Sequence, residues 1–64
     1  MNNEDLRQLV KIRHELRKLL PNQDQEAATR LLARMRALTS QYASESQAIE
    51  PEMVRWQAAF RLEL

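Results

Sequence analysis

The side chains best suited to binding chemistry are four basic residues near the start of the chain. They are Arg7, Lys11, His14 and Lys18, here named the basic stripe. Their steps of four, three and four residues place them on one face of an α-helix, where cations one turn apart could follow a phosphate backbone. Arg30 and Arg34 lie on the outer side of the next predicted helix, so two neighbouring helices would present one basic surface to a nucleic acid.

The competing interpretation of the basic stripe is an ordinary solvated helix face. Glu15 lies between Lys11 and Lys18 and partly neutralises them. Ten basic and nine acidic residues give the chain a formal net charge of only +1, which is a weak electrostatic signal for nucleic-acid binding. No aromatic residue alternates with the basic ones to stack on single-stranded bases. Nucleic-acid binding is therefore the second of two functional hypotheses.

Catalytic chemistry has little support in the sequence. The chain has no cysteine, no glycine and one histidine, which excludes thiolate sites, glycine-rich phosphate loops and Cys/His zinc clusters. Thr39, Ser40 and Tyr42 have no general base or oxyanion loop beside them in the sequence. No pair of carboxylates lies in an apolar setting that would separate their pKa values. We therefore expect no enzyme activity, no cofactor and no metal site.

The first two helices are predicted to form an antiparallel hairpin. The first begins at a cap on Asn2 or Asn3 and ends at Leu19 or Leu20, because Pro21 disfavours helix in the residue before it. The second follows a cap on Asn22, in a capping box with Gln25, or on Asp24, and runs to Tyr42 or Ser44. The residues expected to face each other are Leu31, Met35 and Leu38 against Leu9, Leu16 and Leu20.

A polar segment, Ser44 to Ala48, is the predicted break before a third helix, although the second helix could also continue to Gln47. Pro51 suits the first position of that third helix, with Glu50 as its cap and a hydrophobic staple between Ile49 and Val54. The predicted fold class is all-α, a single domain over residues 1–64. It consists of the antiparallel hairpin and a short third helix over residues 52–64, a small three-helix bundle.

The third helix has two apolar faces, whereas docking onto a hairpin requires only one. The first face comprises Met53, Trp56, Phe60 and Leu64, and the second comprises Val54, Ala58 and Leu62. Either the bundle covers both faces, or one of them meets a partner. A chain of 64 residues buries only about 60% of its unfolded surface, so we favour a partner and expect a homo-oligomer. The predicted partner-binding residues are Val54, Trp56, Ala58, Phe60 and Leu62.

The leading functional hypothesis is a small non-enzymatic protein-interaction module that binds a partner protein through amphipathic helices. Regulators, inhibitors, adaptors, chaperones and accessory subunits all belong to this class. The alternative is a nucleic-acid-binding regulator that uses the basic surface of the first two helices. No run of apolar residues is longer than three, so we expect no membrane segment and a cytoplasmic protein.

Overall fold

The computed structural model describes residues 1–62, which form three α-helices and no strand. Helix α1 spans Asn3–Lys18, α2 spans Gln25–Thr39 and α3 spans Ala43–Ala59. The predicted all-α class and the small three-helix bundle are confirmed over these residues. Leu64, predicted to face the core, lies outside the described residues.

Helix α1 begins as its sequence predicts and ends one residue earlier than predicted. Asn2 is the N-cap, and its side-chain oxygen accepts a hydrogen bond of 2.8 Å from the backbone N–H of Asp5. Glu4 and Asp5 place negative charge in the first turn, where the helix dipole favours it. The helix stops at Lys18, and Leu19 is already extended, with φ −79° and ψ 151°. Helix α1 therefore ends one residue before the predicted Leu19 or Leu20, and Leu19 is its C-cap.

The N-cap of α2 is Asp24, and the capping box predicted for Asn22 and Gln25 is wrong. The Asp24 carboxylate accepts a hydrogen bond of 2.7 Å from the backbone N–H of Leu20, so it fixes the connection instead of the first turn of α2. The side chain of Gln25 donates at 2.9 Å to the carbonyl of Phe60, at the far end of the chain. The start of α2 is thereby tied to the end of α3.

The α1–α2 seam forms the predicted hairpin with one change. Its buried residues are Leu9, Ile12 and Leu16 from α1 and Ala28, Leu31, Leu32 and Met35 from α2, with Leu38 partly buried beside them. Leu20 is 54% exposed, because α1 ends before it and the chain turns away. Leu19 packs against the core in its place. The prediction that Leu20 faces α2 is therefore wrong.

The break between α2 and α3 comes earlier than predicted. Helix α2 ends at Thr39, whose buried hydroxyl donates to the Met35 carbonyl at 2.9 Å, and the Ser40 hydroxyl donates to the Ala37 carbonyl at 2.8 Å. Hydroxyl groups that bond to the last helical carbonyls compete with continuation of the helix. Tyr42 is extended and becomes the N-cap of α3, and its hydroxyl donates to the carboxylate of Asp5.

Helix α3 therefore contains the segment predicted to be a break. Ser44 to Ala48 form its first turns, and Pro51 lies inside the helix rather than at its start. An interior proline costs about 3 kcal/mol. Ile49 and Met53 are buried on either side of it, and burial of two such side chains contributes roughly 3–6 kcal/mol. Packing thus overrides the local signal, so the predicted cap on Glu50, the staple and the short third helix are wrong, and α3 has 17 residues.

A Schellman motif ends α3 and corrects the predicted position of Leu62. The backbone N–H of Leu62 donates to the Gln57 carbonyl at 2.9 Å, and that of Arg61 donates to the Ala58 carbonyl at 3.2 Å. Arg61 takes the left-handed position, with φ 56°, in a chain that has no glycine to place there. The turn returns Leu62 to the core, where it is half-buried, so this side chain does not face outward.

Helix α2 is the central element and runs antiparallel to both of its neighbours. Among the described residues, α2 packs against α1 and against α3, whereas no Cα atom of α1 comes within 8 Å of one in α3. Helices α1 and α3 run in the same direction, because Asp5 meets Tyr42 and Arg13 meets Glu52. The two outer helices are therefore joined by side chains across an open seam. No helix of residues 1–62 is long and apolar enough to span a membrane.

Candidate functional site

An open groove of about 500 Å³ lies along the seam between α1 and α3. We name it the α1–α3 groove, and it is lined by Arg13, Arg17, Glu52, Arg55, Trp56 and Ala59. Arg13 and Arg17 are one turn apart on α1, and Glu52, Trp56 and Ala59 follow one another by a turn on α3. Two parallel helices held apart by their side chains thus form its two walls.

A bidentate ion pair joins the two walls of the groove. The Arg13 Nε and Nη2 atoms donate to the two Glu52 carboxylate oxygens at 2.9 Å and 2.8 Å. The indole Nε1–H of Trp56 donates to the same carboxylate at 3.1 Å. Three charge-assisted hydrogen bonds therefore hold the Glu52 carboxylate, two across the seam from Arg13 and one from Trp56 on the same helix, and we name this set of three residues the Glu52 clasp.

The Glu52 clasp shifts the titration of both charged partners. The hydrogen bond from Arg13 is the main cause that lowers the pKa of Glu52; burial opposes it, while Trp56 and the charge of Arg55 add to it. The hydrogen bond to Glu52 raises the pKa of Arg13. Both side chains are only half-buried, so water still reaches the pair. Glu52 is thus an ionised carboxylate at neutral pH, held at the edge of solvent.

The groove carries more positive than negative charge. Three arginines and one glutamate line it, which is a formal excess of two positive charges. Arg17 and Arg55 are exposed to solvent at its rim, and the half-buried ring of Trp56 lies among them. Guanidinium groups bind carboxylates through two parallel hydrogen bonds and also stack on aromatic rings. The arrangement therefore suits an anionic group on a ligand that also brings apolar surface.

Such apolar surface continues from the groove along α1. Leu6 and Val10 are 49% and 42% exposed, and together with Arg13 and Arg17 they follow steps of four, three and four residues on one helix face. We name these four residues the α1 binding face. Asn3 and Arg7 complete a shallow depression around Leu6 and Val10. The face is apolar toward the start of α1 and cationic toward its end.

The five predicted partner-binding residues do not share one surface. Phe60 is 2% exposed and belongs to the core, with its ring centroid 6.2 Å from that of Trp56. Trp56 lines the α1–α3 groove. Val54 is 58% exposed and Ala58 is exposed, and helical spacing places both on the opposite side of α3 from Glu52. With Leu62 turned inward, the predicted outer strip reduces to Val54 and Ala58.

The basic stripe is fully exposed along α1, but it does not merge with the arginines of α2. Arg7, Lys11, His14 and Lys18 all face solvent, and so do Arg30 and Arg34. The half-buried carboxylate of Glu15 lines the same depression as Arg30 and Arg34, between α1 and α2. This negative charge separates the two sets of cations.

The α1–α3 groove was not predicted from the sequence, because Arg13 and Glu52, which join its two walls, are 39 residues apart. Two of its parts have a local signal in the sequence: the step of four from Arg13 to Arg17 on α1, and the step of four from Glu52 to Trp56 on α3. The register that pairs Arg13 with Glu52 depends on where α3 begins, and the predicted start was wrong. Among residues 1–62, no group of three or more histidine, aspartate or glutamate side chains is arranged to hold a metal ion.

The chain matches no known protein-family model, and comparison with curated proteins and with solved structures finds no significant match.

Proposed function

We propose that the protein is a non-enzymatic protein-interaction module that binds an acidic, amphipathic segment of a partner protein. The segment lies along the α1 binding face, with its apolar side chains on Leu6 and Val10 and its carboxylates in the α1–α3 groove. The observation that carries this proposal is the excess of arginine around Trp56, directly beside exposed apolar residues on the same helix face. Charge complementarity and exposed apolar area together select such a partner.

The mixed character of this surface favours a protein over a nucleic acid. A phosphate backbone would gain from the arginines but would leave Leu6 and Val10 without an apolar contact. An amphipathic helix can place apolar and acidic side chains on one face at the spacing that α1 provides. Glu52 already forms the bidentate contact that a partner carboxylate would make with Arg13, so the guanidinium has a geometry that suits carboxylates.

The nucleic-acid alternative keeps one supporting observation, the exposure of all four residues of the basic stripe on a single helix face. In this alternative, a phosphate backbone runs along Lys11 and Lys18 on the side of α1 that faces away from the core. The two proposals therefore use different faces of α1. The adjacent residues Arg17 and Lys18 lie on these two faces, so substitution of each one tests one proposal.

Arg17 and Lys18 provide the experiment that separates the two proposals. Both are exposed cations in the last turn of α1, so Arg17→Glu and Lys18→Glu change the net charge and the helix dipole equally. The probes are a fluorescein-labelled amphipathic peptide with glutamates along one face, its glutamine counterpart, and labelled duplex DNA, all followed by fluorescence anisotropy.

We expect Arg17→Glu to weaken binding of the glutamate peptide by roughly tenfold or more, because a guanidinium–carboxylate contact becomes a repulsion. Lys18→Glu should leave this affinity almost unchanged. If Lys18→Glu instead abolishes a salt-sensitive affinity for DNA while no peptide binds, the nucleic-acid alternative is correct.

The homo-oligomer expected from the sequence stays a prediction, and we propose it in a narrower form. Val54 is the large apolar residue exposed on the outer side of α3, so contact between two copies there would depend on it. Multi-angle light scattering should then give a lower mass for Val54→Glu than for wild type. A wild-type monomer would contradict this prediction. The cytoplasm is the compartment that we propose, because the chain has no cysteine for disulfides.

A further inference from the structure

We infer that Glu52 occupies, in the free protein, the position that a carboxylate of the partner takes on binding. The Glu52 clasp would then be an internal competitor, and binding would exchange one carboxylate for another on Arg13 and Trp56. This inference rests on the proposed function, because it concerns the same groove and the same acidic partner.

Glu52 occupies the best-placed anion-binding groups of the groove. It takes both forks of the Arg13 guanidinium, at 2.9 Å and 2.8 Å, and the indole N–H of Trp56 at 3.1 Å. An incoming carboxylate that leaves Glu52 in place would find only Arg17 and Arg55 at the rim. Displacing Glu52 gives it a planar bidentate partner, which is a stronger and more selective contact.

Glu52 can leave this position without disturbing the core. Its side chain is half-buried at the edge of solvent, and the helix backbone that carries it is held by Ile49 and Met53 on the buried side of α3. No Cα atom of α1 approaches α3 within 8 Å, so exchange at this seam involves side chains and not helix packing. A released Glu52 carboxylate is rehydrated by water, which offsets part of the cost.

A purely structural clasp would have the opposite effect on affinity. If Glu52 only holds α1 and α3 at the right separation, its removal loosens the groove, and an acidic peptide binds more weakly or equally well. If Glu52 competes with the ligand, its neutralisation frees Arg13 and adds positive charge, so the peptide binds more tightly. Affinity therefore separates the two roles, whereas stability does not, since both predict some loss.

The experiment compares Glu52→Gln with Glu50→Gln in the full chain, using the labelled glutamate peptide and its glutamine counterpart. Both variants remove one negative charge from α3, but Glu50 is exposed on the side of α2, where it pairs with Arg36 at 2.7 Å. We expect Glu52→Gln to lower the dissociation constant for the glutamate peptide by about tenfold. Glu50→Gln should change this dissociation constant by less than about twofold, because Glu50 is exposed outside the groove and salt screens its charge.

Glu52→Asp is the second variant, should Glu52→Gln fail to fold. It leaves Arg13 and Trp56 in place but shortens the competing side chain by one methylene, which weakens its contacts with both groups, and we expect a smaller increase in affinity in the same direction. Equal or weaker binding by the folded variants would overturn the inference and leave the proposed function standing. Failure of the glutamate peptide to bind wild type and every variant would overturn the proposed function as well.

Discussion

The two sides of α1 are held in opposite ways. On the α2 side, Leu9, Ile12 and Leu16 are buried in a continuous apolar seam. On the α3 side, no Cα atom of α1 lies within 8 Å of a Cα atom of α3, and the Glu52 clasp bridges this distance. Two further polar contacts reinforce it. These are the Tyr42 hydroxyl with the Asp5 carboxylate, and the chain's amino group with Glu45 at 3.8 Å.

The apolar contacts and the charged contacts of α1 thus lie on different sides of one helix. Each fully buried aliphatic side chain contributes roughly 1.5–3 kcal/mol, whereas a solvated ion pair contributes about 0–1 kcal/mol. The α1–α2 seam therefore determines the fold, and the α1–α3 seam is free to exchange its polar partners. This division lets such a short chain keep the α1–α3 groove open.

The largest effect is expected from Leu16→Ala in the apolar seam. Leu16 is fully buried, so its truncation should cost about 2–5 kcal/mol, a large part of the stability of so small a domain. Thermal melting followed by circular dichroism measures the loss. Leu20→Ala is the matched control, because Leu20 is exposed beyond the end of α1, and it should melt almost as wild type does. Equal melting of both variants would contradict the comparison.

An intermediate effect is expected from Glu52→Gln, and it should depend on pH. The pKa of Glu52 is lowered below its ordinary value of 4.5, so the ionised carboxylate stabilises the folded state. This contribution is fully present above pH 4.5 and is lost as the pH falls through the lowered pKa. Because the pair is half-buried, we expect about 1 kcal/mol at neutral pH.

Urea denaturation of wild type and Glu52→Gln over a pH series measures the stabilisation that the Glu52 carboxylate provides. The difference between their free energies of unfolding should shrink as the solution becomes acidic. Glu50→Gln is the control, because Glu50 and Arg36, the two side chains of the ion pair between α3 and α2, are both exposed to solvent. A difference that stays constant with pH would show that the Glu52 charge does not stabilise the seam.

The same contrast explains what the sequence could predict. The apolar stripes of α1 and α2 predicted the hairpin, because burial follows helical periodicity. Pro21 predicted the end of α1 to within one residue, because its effect on the preceding residue is local. Pro51 misled the prediction of α3, because burial of Ile49 and Met53 outweighs the local cost of proline, and that burial depends on the hairpin.

The groove could not be predicted for a related reason. An ion pair between Arg13 and Glu52 depends on the register of two helices that contact each other only through side chains. A register error of one residue rotates α3 by about 100° and turns Glu52 away from α1. The inward turn of Leu62 was equally hidden, because it needs Arg61 in a left-handed conformation that the sequence gives no reason to expect.

The smallest effect is expected at the Schellman motif, away from both sides of α1. Arg61 has φ 56°, which strains a residue with a Cβ atom and suits glycine. Arg61→Gly should stabilise the protein by up to about 1 kcal/mol, after the greater freedom of glycine in the unfolded chain is counted. Thermal melting measures the gain, and a lower melting temperature would contradict the assigned conformation. Peptide binding in the α1–α3 groove should not change.

The most direct test of the α1–α3 groove is an NMR titration of the protein with the glutamate peptide. Trp56 is the only tryptophan, so its indole N–H gives a single, unambiguous resonance inside the groove. We predict that this resonance and the Nε–H resonances of Arg13 and Arg17 shift together, and that the glutamine counterpart shifts them far less. Shifts confined to Lys11, His14 and Lys18, or no shift at the indole, would contradict the proposal that this groove binds the partner.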